Sequence, residues 1–564
     1  MILIFFLISF FILLSTIGYG LIFSKIFKFD KFDYNYGLIG VLGLFNLSII
    51  VSYTHLFAAH NFNHNLIILL IGLVFFFFIN RNKFIQIRNI FLVFSLLFIA
   101  LVIAKTNEDF GYYHLPNSLQ FAQQKLQFGL GNLNHGFKHI SSIFMLMSIN
   151  YLPFFEYKLF NITNFLFLVF LIYYLLREIY SRSGYNLNIS TFYLSVFLVL
   201  FLSKFSRLAE FGSDISGQIV ILIAFFYIFE FTFNKNNNIP KIDYLKLSVI
   251  MIVFSITLKF ISIIYSLFFL IIFTVSIKRE IFLKLSKKNY LLILLSPLII
   301  FFILNFSSTG CIIYPIEKLC FSNNFDWALS SDVIRHLNTH YELWAKGGLG
   351  PGYSVENKIE YTNFLNWVPH WFTVYFVGKF SDYILVIAAI LLIFYAFYFK
   401  QILQSKNKNL TIKFEHFIFY LILLLIFLLW FFNFPSLRYA GYMIVTLVII
   451  FPFSLYIGNK IDFSKKINLS KLTIIFLISY SIFLYKNLTR INYELKISTN
   501  EHHNFQNFPF YWINMNKFKN IEIDGHKLYL TNGKCWAVPS TCVRNNESIR
   551  IIKKRNYVFY YDKK

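Results

Sequence analysis

Charge is scarce in this chain: Asp, Glu, Lys and Arg make up 14% of its 564 residues, where a soluble domain carries about a quarter. That shortage argues against a soluble globular protein of this size. The sequence also lacks the strict apolar–polar alternation of lipid-facing β-strands, which argues against a membrane β-barrel. It has no P-loop, no GxGxxG and no other nucleotide fingerprint, so an ATP-driven pump or a cytosolic nucleotide-sugar site is not indicated. No repeat of fixed period occurs. No basic stripe is interleaved with exposed aromatics, so the net charge of +25 does not point to nucleic acid. Cys-x-x-Cys spacing is missing as well.

Long apolar runs are what the chain has instead, among them 90–104, 163–176 and 437–457. In lipid each backbone polar group must be satisfied within its own segment, so these runs read as helices. The sequence predicts an all-α polytopic membrane protein with about fourteen transmembrane helices, at 3–24, 37–56, 65–80, 90–105, 156–176, 189–203, 216–234, 245–258, 260–277, 289–306, 381–399, 415–432, 439–457 and 472–488. The first lacks a basic n-region and a small-residue cleavage site, so it reads as an anchor rather than a cleaved signal. Residues 139–153 are apolar but short, and read as a juxtamembrane or re-entrant helix. The abundance of Phe, Ile, Asn, Lys and Tyr, all with AT-rich codons, points to an AT-rich bacterial genome.

Basic residues hold cytoplasmic loops inside. Lys25, Lys28 and Lys31 follow the first span, which sets the N-terminus outside. From there the clusters at 81–88, 177–182, 235–246, 278–288, 400–413 and 460–471 all fall on the cytoplasmic side. The segments 106–155, 204–215, 307–380, 433–438 and 489–564 fall outside. Three pieces result: a four-span region at 1–105, a membrane region at 106–488 with outer loops 106–155 and 307–380, and a small extracytoplasmic tail at 489–564 with strand-like stretches near 527–531 and 556–561. The four cysteines fall in two close pairs, Cys311 with Cys320 and Cys535 with Cys542, both outside. Two small disulfides fit that placement; a metal site is the rival, without a His pattern to support it.

The few acids and the isolated cations gather on the same predicted face. Glu108 and Asp109 sit where a span leaves the bilayer, where a poorly solvated carboxylate suits a general base; the bland alternative is that they solvate a helix end. Asp214 lies in a short outer loop with Arg207 and Glu210. Lys259 interrupts the apolar stretch 248–277, where an unpaired ammonium is costly, so a break between two spans is expected there. Arg438 lies in another short outer loop. Arg and Lys so placed suit a phosphate or pyrophosphate, or are interfacial anchors, the reading preferred for Lys204 and Arg207. His114, His135 and His139 would form a metal site only if 135–139 were helical, and Gly136 opposes that; no metal and no cofactor are expected.

These residues also carry a resemblance. Asp109 followed by Tyr113-His114-Leu115-Pro116, and then Gly129, Leu130, Asn132, Leu133 and Gly136, resemble the first outer loop of a group of bacterial polytopic membrane proteins. That group is similar to the GT-C superfamily of lipid-linked glycosyltransferases. Shorter matches occur at Thr257-Leu258-Lys259, at 308–315 with Cys320 and Trp327, and at Leu437-Arg438-Tyr439. The chain departs from the usual plan in placing four spans, not one, before the acidic loop, and in reading Asn107-Glu108-Asp109 where relatives carry Tyr-Asp.

The resemblance implies a GT-C-like fold and an inverting transfer of sugar from a polyprenyl-phosphate-type donor. The acceptor would be an envelope glycan or glycolipid at the outer face of the bacterial inner membrane. It implies Asp109 as the base, with Glu108 as the neighbour able to substitute. Asp214 becomes a second outer acid, Lys259 and Arg438 hold the leaving phosphate, and Tyr113 and His114 belong to the substrate loop. The partners expected are that donor, a glycan or lipid acceptor and membrane lipid. The rivals are a flippase, polymerase or ligase of lipid-linked glycans, or a non-catalytic envelope assembly protein.

Overall fold

The structure, a computed structural model, describes residues 2–562 apart from 33, 81–83, 105–108, 183–188, 209–211, 234–240, 275–284, 286, 351, 398, 400–413, 461–468, 497–509, 512–516 and 545–548. Among the described residues, ten helices are long and apolar enough to cross a membrane. They are α1 (Ile2–Ile26), α2 (Tyr36–His55), α3 (Phe62–Ile79), α4 (Tyr157–Ser181), α5 (Ser213–Phe233), α6 (Lys288–Thr309), α7 (Val368–Ala396), α8 (Phe414–Asn433), α9 (Leu437–Tyr456) and α10 (Ser470–Tyr493). Each coincides with a span expected from the sequence. The other four expected spans are different in kind. Three are shorter apolar helices, Phe84–Leu97, Ser190–Lys204 and Phe260–Ile272. The fourth, Lys241–Leu258, carries Lys241, Asp243 and Lys246 in its first two turns.

The polytopic helical architecture is therefore present, with ten full-length helices. Residues 139–153 contain only a seven-residue helix, Ser142–Ser148, all of it buried. At 1.5 Å per residue it is about 10 Å long, too short to cross a bilayer, and it packs between α2 and α4.

Helix ends follow local chemistry. The Asn35 side chain caps α2 by accepting from the Gly37 and Leu38 N–H groups, and Asn61 caps α3 by accepting from His64 N–H. Gly310, in the left-handed region, ends α6. Polar side chains tie neighbouring helices where water is excluded: Ser15 donates to Leu69 O at 3.0 Å and Tyr19 to Ile68 O at 2.9 Å, joining α1 to α3. The α4 and α5 windows are 94% buried and form the axis, while α3 and α8, at 22% and 28%, lie at the rim.

The bundle has two distinct ends. At one, Tyr34, Asn35, Arg177 and Glu178 interlock and Tyr290 bonds Lys246 O. At the other lie the 55–64 turn, the 109–160 segment, the 307–367 loop and the C-terminal strands. His60 N donates to Phe121 O there at 2.9 Å and Leu126 N to His55 O at 3.3 Å.

The tail is a small β unit. Strands β1 (Phe518–Ile523) and β2 (His526–Thr531) form a hairpin across Asp524-Gly525, both at positive φ, the two-residue turn that Asp-Gly favours. β2 pairs in parallel with β3 (Cys542–Val543), and β4 (Ile549–Lys554) forms a second hairpin with β5 (Tyr557–Asp562). Its core is shared with the first loop: Leu130, Leu133 and Phe137 pack with Leu528, Val543, Ile549, Ile551 and Tyr560. Phe128 N donates to Val558 O and Tyr560 N to Phe128 O, both at 2.9 Å. A strip of the first loop thus completes the tail's core.

Candidate functional site

Four charged side chains from four separate segments meet at the tail-bearing end. Asp109 immediately precedes a π-helical turn, Phe110–His114. Asp214 sits in the first turn of α5, where the positive end of the helix dipole favours a carboxylate. Lys259 stands at the junction where Lys241–Leu258 gives way to a 3₁₀ helix, Phe260–Thr274. Arg438 lies in the π turn Leu437–Gly441 that opens α9. Arg438 Nη1 donates to Asp109 Oδ2 at 2.9 Å, and its Nε lies 3.7 Å from Asp214 Oδ2. Lys259 Nζ lies 2.7 Å from Asp214 Oδ1. The four form one chain, Asp109–Arg438–Asp214–Lys259, two acids alternating with two cations.

Local polar bonding holds this register. The break expected at Lys259 is present. Ser141 Oγ donates to Leu258 O at 2.6 Å, and Ser255 Oγ donates to Gly217 O at 3.0 Å and meets Ser262 Oγ at 2.8 Å. Backbone groups at the change of helix type are thus satisfied, and Lys259 is aimed at Asp214. Gln218, one turn after Asp214, donates to Arg438 O at 2.7 Å and accepts from Met443 N at 3.0 Å, locking α5 to α9. The Tyr439 ring lies under both cations, 4.6 Å from Lys259 Nζ and 5.3 Å from the Arg438 guanidinium carbon, a cation–π arrangement. Exposure rises along the chain from Asp214 (14%) to Arg438 (40%). The Lys259–Asp214 pair is the inner side, and Arg438 with Asp109 is the more open side.

Two close approaches set the position of Asp109. A Cβ on Gly111 would lie 2.1 Å from the Trp536 ring, and Trp536 N donates to Gly111 O at 2.8 Å. A Cβ on Gly212 would lie 2.2 Å from the His114 ring. Any side chain at either glycine displaces the turn that bears Asp109. His114 is buried and Tyr113 half-buried beside the four charges, and desolvation pushes the His114 imidazole down to about 4 and the Tyr113 phenol well up. Both are neutral at physiological pH.

His135 and His139 come together on Tyr341 of the amphipathic helix Ser331–Ala345. The Tyr341 hydroxyl lies 3.1 Å from His135 Nε2, 3.2 Å from His139 Nε2 and 3.1 Å from Tyr314 OH. A hydroxyl offers one proton and two lone pairs, so these three partners saturate it. Burial, with Lys138 nearby, pushes His135 down to about 4. His114 is not part of this network. Among the described residues no group of three or more His, Cys, Asp or Glu is placed to hold a metal.

Both cysteine pairs are joined, Cys311 to Cys320 and Cys535 to Cys542. The second bridge closes the loop that carries Trp536. Lys204, expected as an interfacial anchor, instead pairs with the buried Asp382, which also accepts from Tyr442 OH at 2.8 Å. Glu108 and Glu210 lie outside the described residues. Sequence reasoning missed Gln218 and Trp536, and named Tyr439 only within a short match, without a role. The glycines at 111 and 212, each close to an acid in a charge-poor chain, were the available signal for the packing of the turn.

No curated protein and no solved structure matches the chain. A family model, described as a domain of unknown function (DUF8201), matches residues 1–445, a stretch that includes Asp109, Asp214, Lys259 and Arg438 and stops short of the tail. The chain belongs to the DUF8201 family.

Proposed function

We propose that this protein is an inverting, GT-C-like glycosyltransferase that moves a sugar from a polyprenyl-phosphate-type donor to an envelope glycan or glycolipid. In this reading the chain crosses the bacterial inner membrane about fourteen times, the four shorter or more polar helices included. The tail-bearing end faces outward and the basic loops face the cytoplasm. The observation that carries the proposal is the ion chain of two acids and two cations, drawn from four segments to one end of the bundle. Burying ions costs stability, and the gathering of four of them from separate segments at one place supports a chemical use.

The acceptor oxygen bonds the anomeric carbon as that carbon's bond to the phosphate oxygen breaks. The electron pair leaves with the phosphate, and the acceptor's proton passes to Asp109. Arg438 is bonded to Asp109 before donor binds, so a donor phosphate and Asp109 compete for one guanidinium. Phosphate that takes Arg438 releases the Asp109 carboxylate to accept a proton. Lys259, paired with the deeper Asp214, adds positive charge behind the leaving phosphate. Charge kept to the ends of the bundle, rather than strung along the middle of the helices, favours this reading over a flippase.

Mass spectrometry of envelope glycans and lipid-linked intermediates from a deletion strain tests it. A glycan short of one sugar, with the matching lipid-linked donor accumulating, is expected. Unchanged glycans, or complete intermediates trapped on the cytoplasmic side, would overturn it.

A further inference from the structure

The segment from Tyr353 to Phe376, the end of the 307–367 loop and the first turns of α7, has two faces. Its inner face grips the turn that bears Arg438. Trp367 and Trp371 are buried against Phe431 in the last turn of α8, with ring centroids 5.0 and 5.7 Å away. Tyr375 OH accepts from Leu437 N at 3.0 Å, one residue before Arg438. The outer face presents large apolar side chains: Ile359 is 85% exposed, Phe364 72% and Val374 62%. A patch of this kind needs a partner.

Its continuity with the membrane-crossing surface identifies that partner. Phe372 begins a run of exposed apolar residues that continues down α7 through Phe380, Ile384, Ile387 and Leu391. Phe364 stacks on Phe432, itself exposed at the end of α8. A water-soluble protein would have to cover a patch that continues along one face of α7 into hydrocarbon, past the exposed Lys379. α7 has 29 residues, about 43 Å at helical rise, against about 30 Å of hydrocarbon. The surplus of roughly nine residues matches Val368–Phe376, at the depth where aromatic residues collect. Lys358 and Glu360, both exposed, flank Ile359 as headgroup-level neighbours.

We infer that residues 353–376 form a shelf seated in the surface of the bilayer, so that the Arg438 side of the charge chain lies beside the lipid headgroups. A lipid-borne phosphate then reaches Arg438 from the side, along the shelf. The seating rests only on the membrane architecture; the route for a phosphate rests on the glycosyltransferase reading.

The test uses the full chain in lipid nanodiscs, kept oxidised so that the native disulfides stay closed. An environment-sensitive fluorophore is attached at Ile359→Cys or Phe364→Cys. Leu391→Cys, on the crossing part of α7, serves as the lipid control and Lys527→Cys, in the tail hairpin, as the aqueous control. Shallow nitroxide lipids are expected to quench the two shelf labels and leave Lys527→Cys unaffected, with iodide doing the reverse. Shelf labels quenched by iodide like Lys527→Cys would overturn the inference. So would labels shielded from both quenchers, the mark of a covering protein or a second copy. Neither readout needs catalytic activity, so this result and the fate of the glycosyltransferase reading are separable.

Discussion

At the end of the bundle where α2 begins and α4 finishes, polar side chains close helix termini. Asn35 caps α2 and donates to Glu178 at 2.9 Å, Tyr34 donates to the same carboxylate, and Arg177 donates to Tyr34 O at 3.3 Å. Each group there has a task set by a chain end. At the opposite end, Asp109, Arg438, Asp214 and Lys259 face one another, with up to 329 residues of sequence between partners. One end uses charge as architecture; the other holds charge together at a cost the fold alone does not require. That difference supports placing the proposed chemistry at the second end.

Substitutions at the two ends should therefore behave differently. The largest effect is expected from Arg438→Gln, which strips Asp109 and Asp214 of their shared partner. Transfer in membrane vesicles should fall by at least about a hundredfold with the fold retained, and a rate close to wild type would place the phosphate elsewhere. Lys259→Met should destabilise by about 3 kcal/mol by removing the nearer of the two cations that face Asp214 and leaving it only the more distant Arg438. Pairing it with Asp214→Asn should restore most of that, as read from thermal unfolding in detergent. If the double variant is no better than the single, the two are not a coupled pair. Trp536→Ala should cost about 3 kcal/mol and speed amide hydrogen exchange at 109–114, while Trp536→Phe should do little. Equal exchange in both variants would mean that the tail does not hold the Asp109 turn. At the architectural end, Arg177→Gln should change stability by less than about 1 kcal/mol; a loss matching that of Lys259→Met would erase the contrast.

The smallest effect expected is a pH dependence of the His135–His139–Tyr341 contact. Burial holds both imidazoles below their ordinary 6.5, His135 near 4 and His139 well below 6.5. As pH falls from 6.5 toward 4, the unfolded chain takes up protons that the folded chain refuses, so this contact loses stability. Exchange in Ser331–Ala345 should rise over that window. No rise would mean that the helix is held by other contacts.

The long crossings were legible because an apolar run of eighteen or more residues has few other readings. Of the other four, Lys241–Leu258 carries charge in its first turns and is set off from Phe260–Ile272 by Lys259, a break that the charge itself announces. Asp109, Asp214, Lys259 and Arg438 could be picked out because charge is rare here and each stands at a break between apolar runs. The role of Tyr439 could not: with 37 Tyr in the chain, a tyrosine carries no signal of its own, and nothing local ties Trp536 to a turn more than 400 residues earlier. Gln218 was hidden because its bonds go to backbone atoms of α9. The shared core of tail and first loop joins Leu130 to Tyr560, a pairing that no local pattern announces.

The central claim is that Asp109 accepts a proton during sugar transfer, and Asp109→Asn at unchanged expression tests it most directly. The variant keeps the size of the side chain and removes its basicity. Mass spectrometry of envelope glycans should show loss of the same sugar that a deletion strain loses, with its lipid-linked donor accumulating. Glycans of full length and normal amount in the Asp109→Asn strain would contradict the account.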